Sequence, residues 1–222
     1  MPRDEYQERL DRLRDDVVRM GNAVSARLQK TIAALDTYDG SLADRIAETD
    51  DEINEVYLDL EQDCIDLFAL QQPVAGDLRF IAASFKIITD LERIGDLAAN
   101  LATTVRDAET ALFSDIAIDE LARLTAEMLD DALAAYLDGD AEACHAIAER
   151  DDELDTQCQQ ATEAIIRTLV DETTPPGEIE LLFDSVTAAL LTIRDLERIG
   201  DHAVNIAART LYMLENDDAL IY

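Results

Sequence analysis

The sequence predicts an all-α protein: two antiparallel three-helix bundles in tandem, related by an internal pseudo-twofold duplication. Three observations predict it. Apolar residues recur at helical spacing almost throughout the 222 residues. Gly (7) and Pro (4) are scarce and Trp is absent, which argues against a turn-rich all-β fold. Two motifs occur twice in the same order. AETDDEIN (47–54) returns as AERDDELD (148–155) at an offset of 101, and DLERIGDLAAN (90–100) returns as DLERIGDHAVN (195–205) at an offset of 105. The difference of four falls between the motifs, where the second half has the longer TTPPG connection.

Six helical segments are expected, each bounded by turn signals. The first runs from about Tyr6 to Asp36 and stops near Asp39-Gly40. The second starts at the cap candidate Ser41 and ends before Gln72-Pro73. The third starts near Gly76-Asp77 and fades by Glu109. The fourth covers Asp115 to Leu137 and stops at Asp138-Gly139. The fifth is capped by Asp140 and ends near Thr173, before Thr174-Pro175-Pro176-Gly177. The sixth runs from Glu178 to Leu214. The expected units are therefore residues 1–112 and 113–222, with the boundary near 110–114.

Charge excludes several functions. With 18 basic and 50 acidic residues, the net charge is -32. The phosphates of nucleic acid and the surfaces of anionic membranes would be repelled. The acids are spread along the whole chain, and only Lys30 and Lys86 are lysines. That pattern reads as halophilic adaptation, because at molar salt the Debye length falls to about 3 Å and self-repulsion becomes tolerable. An acidic partner for a basic protein is the other reading. No stretch approaches 18 uncharged apolar residues, and MPRDEYQERLDR contains no apolar signal core. A cytoplasmic protein without membrane insertion is expected. Cys64, Cys144 and Cys158 form no CxxC pair, and they read as core thiols.

The informative residues are acids. With about 100° per residue, Glu92 and Asp96 fall within about 40° of one another on a stripe with Leu78, Phe85, Ile88 and Ala99. Glu197 and Asp201 repeat this arrangement with Phe183, Leu190, Ile193 and Val204. On the other motif, Asp151 shares an arc with Cys144, Ile147, Leu154 and Cys158, and Asp155 lies about 40° away. Asp50 holds the matching place in the first half, where Asn54 replaces Asp155. An ionised carboxylate on an apolar face needs compensation. Three solutions are open: a metal ion on hard oxygen ligands, an arginine network drawn from Arg79, Arg93, Arg194 and Arg198, or a wet edge. Gly95 and Gly200 sit mid-helix, each at a cost of about 1 kcal/mol. They mark a close approach, either of a neighbouring helix or of a metal-bound loop.

Other chemistries fail on residue count. A di-iron carboxylate bundle needs two ExxH pairs, and only Glu142–His145 is present. His202 reads as a packed or partner-facing histidine. No glycine-rich phosphate loop or nucleophilic triad is present, so no enzyme is expected.

Two LERIGD-bearing helices, each preceded by a helix with an acidic DDE[IL] stretch, resemble the PhoU family from roughly Tyr6 to Leu214. The resemblance implies a cytoplasmic negative regulator of phosphate uptake and phosphate homeostasis. It implies partners in the ATPase of a phosphate-specific ABC transporter and, in hosts that have one, a phosphate-sensing kinase. It also implies a homodimer and metal clusters of iron or zinc, although oxygen ligands alone would accept magnesium or calcium as well. Transferred by position, the metal-ligating candidates are Glu92, Asp96, Glu197, Asp201, Asp50, Asp151 and Asp155. The alternative is a helical interaction module for another assembly, with the acids held by arginines and no metal.

Overall fold

In the computed structural model, which describes residues 3–37, 39–47, 50–70, 75–107, 117–171 and 179–221, every regular element is an α-helix. The chain runs α1 (Arg3–Thr37), α2 (Gly40–Ala47), α3 (Asp50–Leu70), α4 (Ala75–Asp107), α5 (Ile118–Asp138), α6 (Ala141–Asp171) and α7 (Ile179–Glu215). The first bundle is α1 to α4 and the second is α5 to α7. The expected boundary near 110–114 lies outside the described residues.

The apolar spacing explains each helix. Along α1, Leu10, Leu13, Val17, Met20, Val24 and Leu28 are buried at steps of three and four. On α7, Ala189, Ile193, Leu196, Ile199, Ala203 and Ala207 do the same. Both stripes feed one core that continues through both bundles. Buried Ser84 on α4 and Tyr136 on α5 share a hydrogen bond of 3.0 Å across the halves. α1 crosses α5 in opposite directions. A Cβ on Gly21 would overlap Leu133, and Ser25 Oγ donates to Asp130 Oδ1 at 2.5 Å.

The second expected segment covers α2 and α3; residues 48–49, which fall between them, lie outside the described residues. Its cap is Asp39 rather than Ser41. Asp39 Oδ1 accepts from the backbone N–H groups of Ser41 and Leu42, at 3.1 and 3.0 Å. Asp140 caps α6 as expected, accepting from the Ala143 N–H at 3.0 Å. α5 ends at Gly139, whose φ of 68° lies in the left-handed region that glycine adopts without strain.

The motif glycines answer to side chains of the neighbouring helix. Ile53 of α3 lies 3.3 Å from where a Cβ on Gly95 would be, and Leu154 of α6 fills the same place against Gly200. Tight helix packing is what these glycines allow.

Candidate carboxylate site

α6 and α7 bring Asp151, Asp155, Glu197 and Asp201 together in the second bundle. Their mutual repulsion shows in their protonation. Burial, then Asp155, Asp201, Asp152 and Glu197, push the Asp151 carboxyl up to about 6. Burial first, and then Asp155, raise both Glu197 and Asp201 above the usual carboxylate range. Arg198 and His202 pull Asp201 partly back. Asp151 Oδ1 is buried and has no hydrogen-bond partner among the described residues. Among the described residues, none of these four acids closes an ion pair. Cys158 is buried beside them, and burial and the neighbouring charges push its thiol up to about 12, so it stays protonated.

The first bundle solves the same problem differently. Arg93 bridges Glu92 at 3.4 Å and Asp96 at 3.3 Å. Beside Gly95 stands the guanidinium of Arg27, which is only 6% exposed. The place beside Gly200 is taken by Met128 instead. The duplication thus has a buried cation in one half and a thioether in the other. Arginine pairing describes the first half and not the second.

The other expected arginines act elsewhere. Arg194 donates to buried Asp195 Oδ1 through Nε (2.9 Å) and a terminal nitrogen (2.6 Å). Arg79 Nε is buried and has no hydrogen-bond partner among the described residues. The side chain of Asp50 lies outside the described residues. Of the apolar residues that share the acids' stripe, Ile88, Ala99, Ile193 and Val204 are buried and Phe85 and Leu190 pack against the core, while Leu78 (45%) and Phe183 (60%) are exposed. The deeply buried face of α4 holds Ile87, Leu91, Ile94 and Ala98. Among the described residues, no three His, Cys, Asp or Glu side chains converge closely enough to grip an ion as they stand.

His202, by contrast, belongs to the junction of the halves. Its Nδ1 lies 2.9 Å from Asp90 Oδ1, on α4. All three cysteines are buried and free, as expected of core thiols.

The sequence profile of the PhoU domain matches residues 17–105 and again 118–210, one copy on each bundle. The chain belongs to the PhoU family. A PhoU from Serratia marcescens, described as a phosphate-specific transport system accessory protein, is 31% identical over 216 residues, covering 96% of this chain and 86% of that one. A PhoU homolog from Clostridium acetobutylicum is 29% identical over 217 residues, covering 96% of both chains. The crystal structure of PhoU from Pseudomonas aeruginosa superposes with a TM-score of 0.85 at 27% identity, covering 96% of this chain and all of that one. That of the Streptococcus pneumoniae phosphate transport system regulatory protein PhoU gives 0.86 at 27% identity, covering 96% and 98%.

Proposed function

We propose that this protein regulates phosphate uptake by docking on the ATPase of a phosphate-specific ABC transporter. We assign the carboxylates of its second bundle as its metal site. The observation that carries the first part is full-length similarity to proteins named as phosphate transport accessory proteins. It acts through contact and not through catalysis, and in a host with a phosphate-sensing kinase it restrains that kinase too. Among the described residues, no helix is long and apolar enough to cross a membrane. The reading places the protein in a salty cytoplasm, as a homodimer.

The second bundle fits a cation better than the first. Asp151, Asp155, Glu197 and Asp201 would hold it, with the orphaned Asp151 Oδ1 as the most available donor. A bound cation supplies the positive charge that this cluster lacks. The raised carboxyls must lose their protons to bind, so affinity rises with pH through about 6. In the first bundle Arg93 and Arg27 occupy that role, and Asn54 stands where the second has Asp155.

The test is affinity purification at high salt from phosphate-replete cells, paired with phosphate uptake in a deletion strain. Recovery of the transporter ATPase and unrestrained uptake in the deletion are expected. Uptake unchanged by deletion, with no transporter component recovered, would overturn the reading.

A further inference from the structure

The duplication sorts the exposed apolar side chains of this protein. Exposed apolar residues standing singly are ordinary. Leu58, Leu137 and Leu181 are of that kind, since Gln159, Asp36 and Gly76 hold the matching places. Two others recur. Ile65 on α3 (47% exposed) returns as Ile166 on α6 (50%) at the 101-residue offset. Exposed Leu78 on α4 returns as exposed Phe183 on α7 at the 105-residue offset. Phe68 likewise returns as Leu169, and Phe85 as Leu190. Of these, Phe85, Leu169 and Leu190 pack against the core.

Each exposed pair lies on one face of its hairpin. Ile166 falls within about 20° of Asp155 around α6, and Ile65 within about 20° of Asn54 around α3. Leu78 and Phe183 lie on the stripes of Glu92 and Glu197. Ile53 meets Gly95, and Leu154 meets Gly200. From those contacts the antiparallel register sets Ile65 opposite Ala83 and Ile166 opposite Ala188. In both halves the paired side chains are then about five residues, or about 8 Å, apart along the hairpin. The two halves therefore present the same small apolar patch, at the end of the face away from the acids.

The charge around the patches is also repeated. Within three positions of the first pair stand Asp63, Asp66 and Asp77 against Arg79. Within three positions of the second stand Glu163, Glu180 and Asp184 against Arg167. Arg9 of α1 reaches Asp63 at 3.9 Å, and Arg167 is held by Glu163 at 3.5 Å. Farther along the first face Glu61 and Lys86 add one charge of each sign, where the second has Thr162 and Leu191. Both patches are thus apolar with an acidic surround. A second copy of this chain would bring acid against acid, so this face is not where two copies meet. A basic surround on the partner is the complement.

We infer that the two patches are twin docking sites for a twofold-symmetric partner protein, which offers each of them the same apolar segment flanked by Lys or Arg. One chain then binds two partner subunits at once, and each contact raises the effective concentration of the other. The inference rests on the docking reading above and adds to it the surface and the symmetry of the partner. It does not depend on the metal.

The test places a photo-crosslinking amino acid at Leu78, at Phe183 and, as a control, at exposed Leu137. The full chain is crosslinked in cells, and the linked residues are mapped by mass spectrometry. Crosslinks from Leu78 and Phe183, but not Leu137, to one and the same basic-flanked apolar segment of one protein are expected. Light scattering of the complex at high salt should give one chain to two partner copies. Ile65→Ser with Leu78→Ser, and separately Ile166→Ser with Phe183→Ser, should each cut recovery of that protein about tenfold, because either pair removes the linked second contact. Helical circular dichroism shows that both variants stay folded. Crosslinks from one position only, to unrelated segments, to a second copy of this chain, equal from Leu137, or absent would overturn the inference. So would a loss confined to one pair of substitutions. A twofold partner outside any transporter would uphold the twin sites and overturn the transporter reading. Transporter components recovered without crosslinks from Leu78 and Phe183 would do the reverse.

Discussion

Asp151→Asn should stabilise the metal-free protein above pH 6 and leave it unchanged below about pH 4. Asp151 holds its proton to about 6 in the fold, against an ordinary 3.8. The folded state therefore binds an extra proton between these values, and stability falls as pH rises through that window. Above it the folded carboxylate carries a penalty of about 3 kcal/mol by the simple conversion. Asp151 is partly exposed, and solvent screening brings this to about 1–2 kcal/mol. The asparagine amide removes the charge and adds a donor where the neighbours, Asp155, Glu197 and Asp201, offer acceptors only. Urea unfolding at fixed salt and with chelator present, at pH values from 4 to 8, measures the difference. A gain that appears between pH 4 and 6 and persists to pH 8 is expected. A variant less stable than the parent at pH 8 would refute the reasoning, because Asp151 would then have a stabilising partner.

Three further predictions address the asymmetry and the core. Met128→Arg should give the second bundle the cation of the first and lower its metal affinity at least tenfold, read by metal titration, with the helical circular dichroism retained. Gly21→Ala forces a Cβ into Leu133 at the α1–α5 crossing and should cost about 1–3 kcal/mol. Gly76→Ala meets open space and should shift the Tm little, so the pair of melting curves separates clash from helix propensity. Tyr136→Phe leaves buried Ser84 without its 3.0 Å partner and should cost about 1 kcal/mol in urea unfolding.

Much of this was written in the one-dimensional pattern. Helical period, turn residues and the repeated motifs carried the six segments, because each depends on local spacing alone. Asp39 outranked Ser41 as the cap because the helix begins at Gly40, two residues earlier than a cap at Ser41 would start it. The acids were found from their place on a helical wheel, but the wheel does not say which neighbour faces a given angle. Hence Leu78 and Phe183 share a stripe with buried Ile88 and Ile193 and are themselves exposed. The unequal compensation of the two halves did leave a signal. The 101-residue offset, extended to the first helix of each half, sets Arg27 against Met128 and Lys30 against Asp131.

The central claim is that the duplicated acids have diverged, with cations of the chain itself in the first bundle and a metal in the second. Elemental analysis of untagged protein, purified at high salt without chelator, tests it most directly. Three proteins are compared: the parent, Glu92→Gln with Asp96→Asn, and Glu197→Gln with Asp201→Asn. Stoichiometric metal in the parent and the first variant, lost from the second, is the predicted result. Metal lost from the first variant but kept in the second, or absent from all three, would contradict the account.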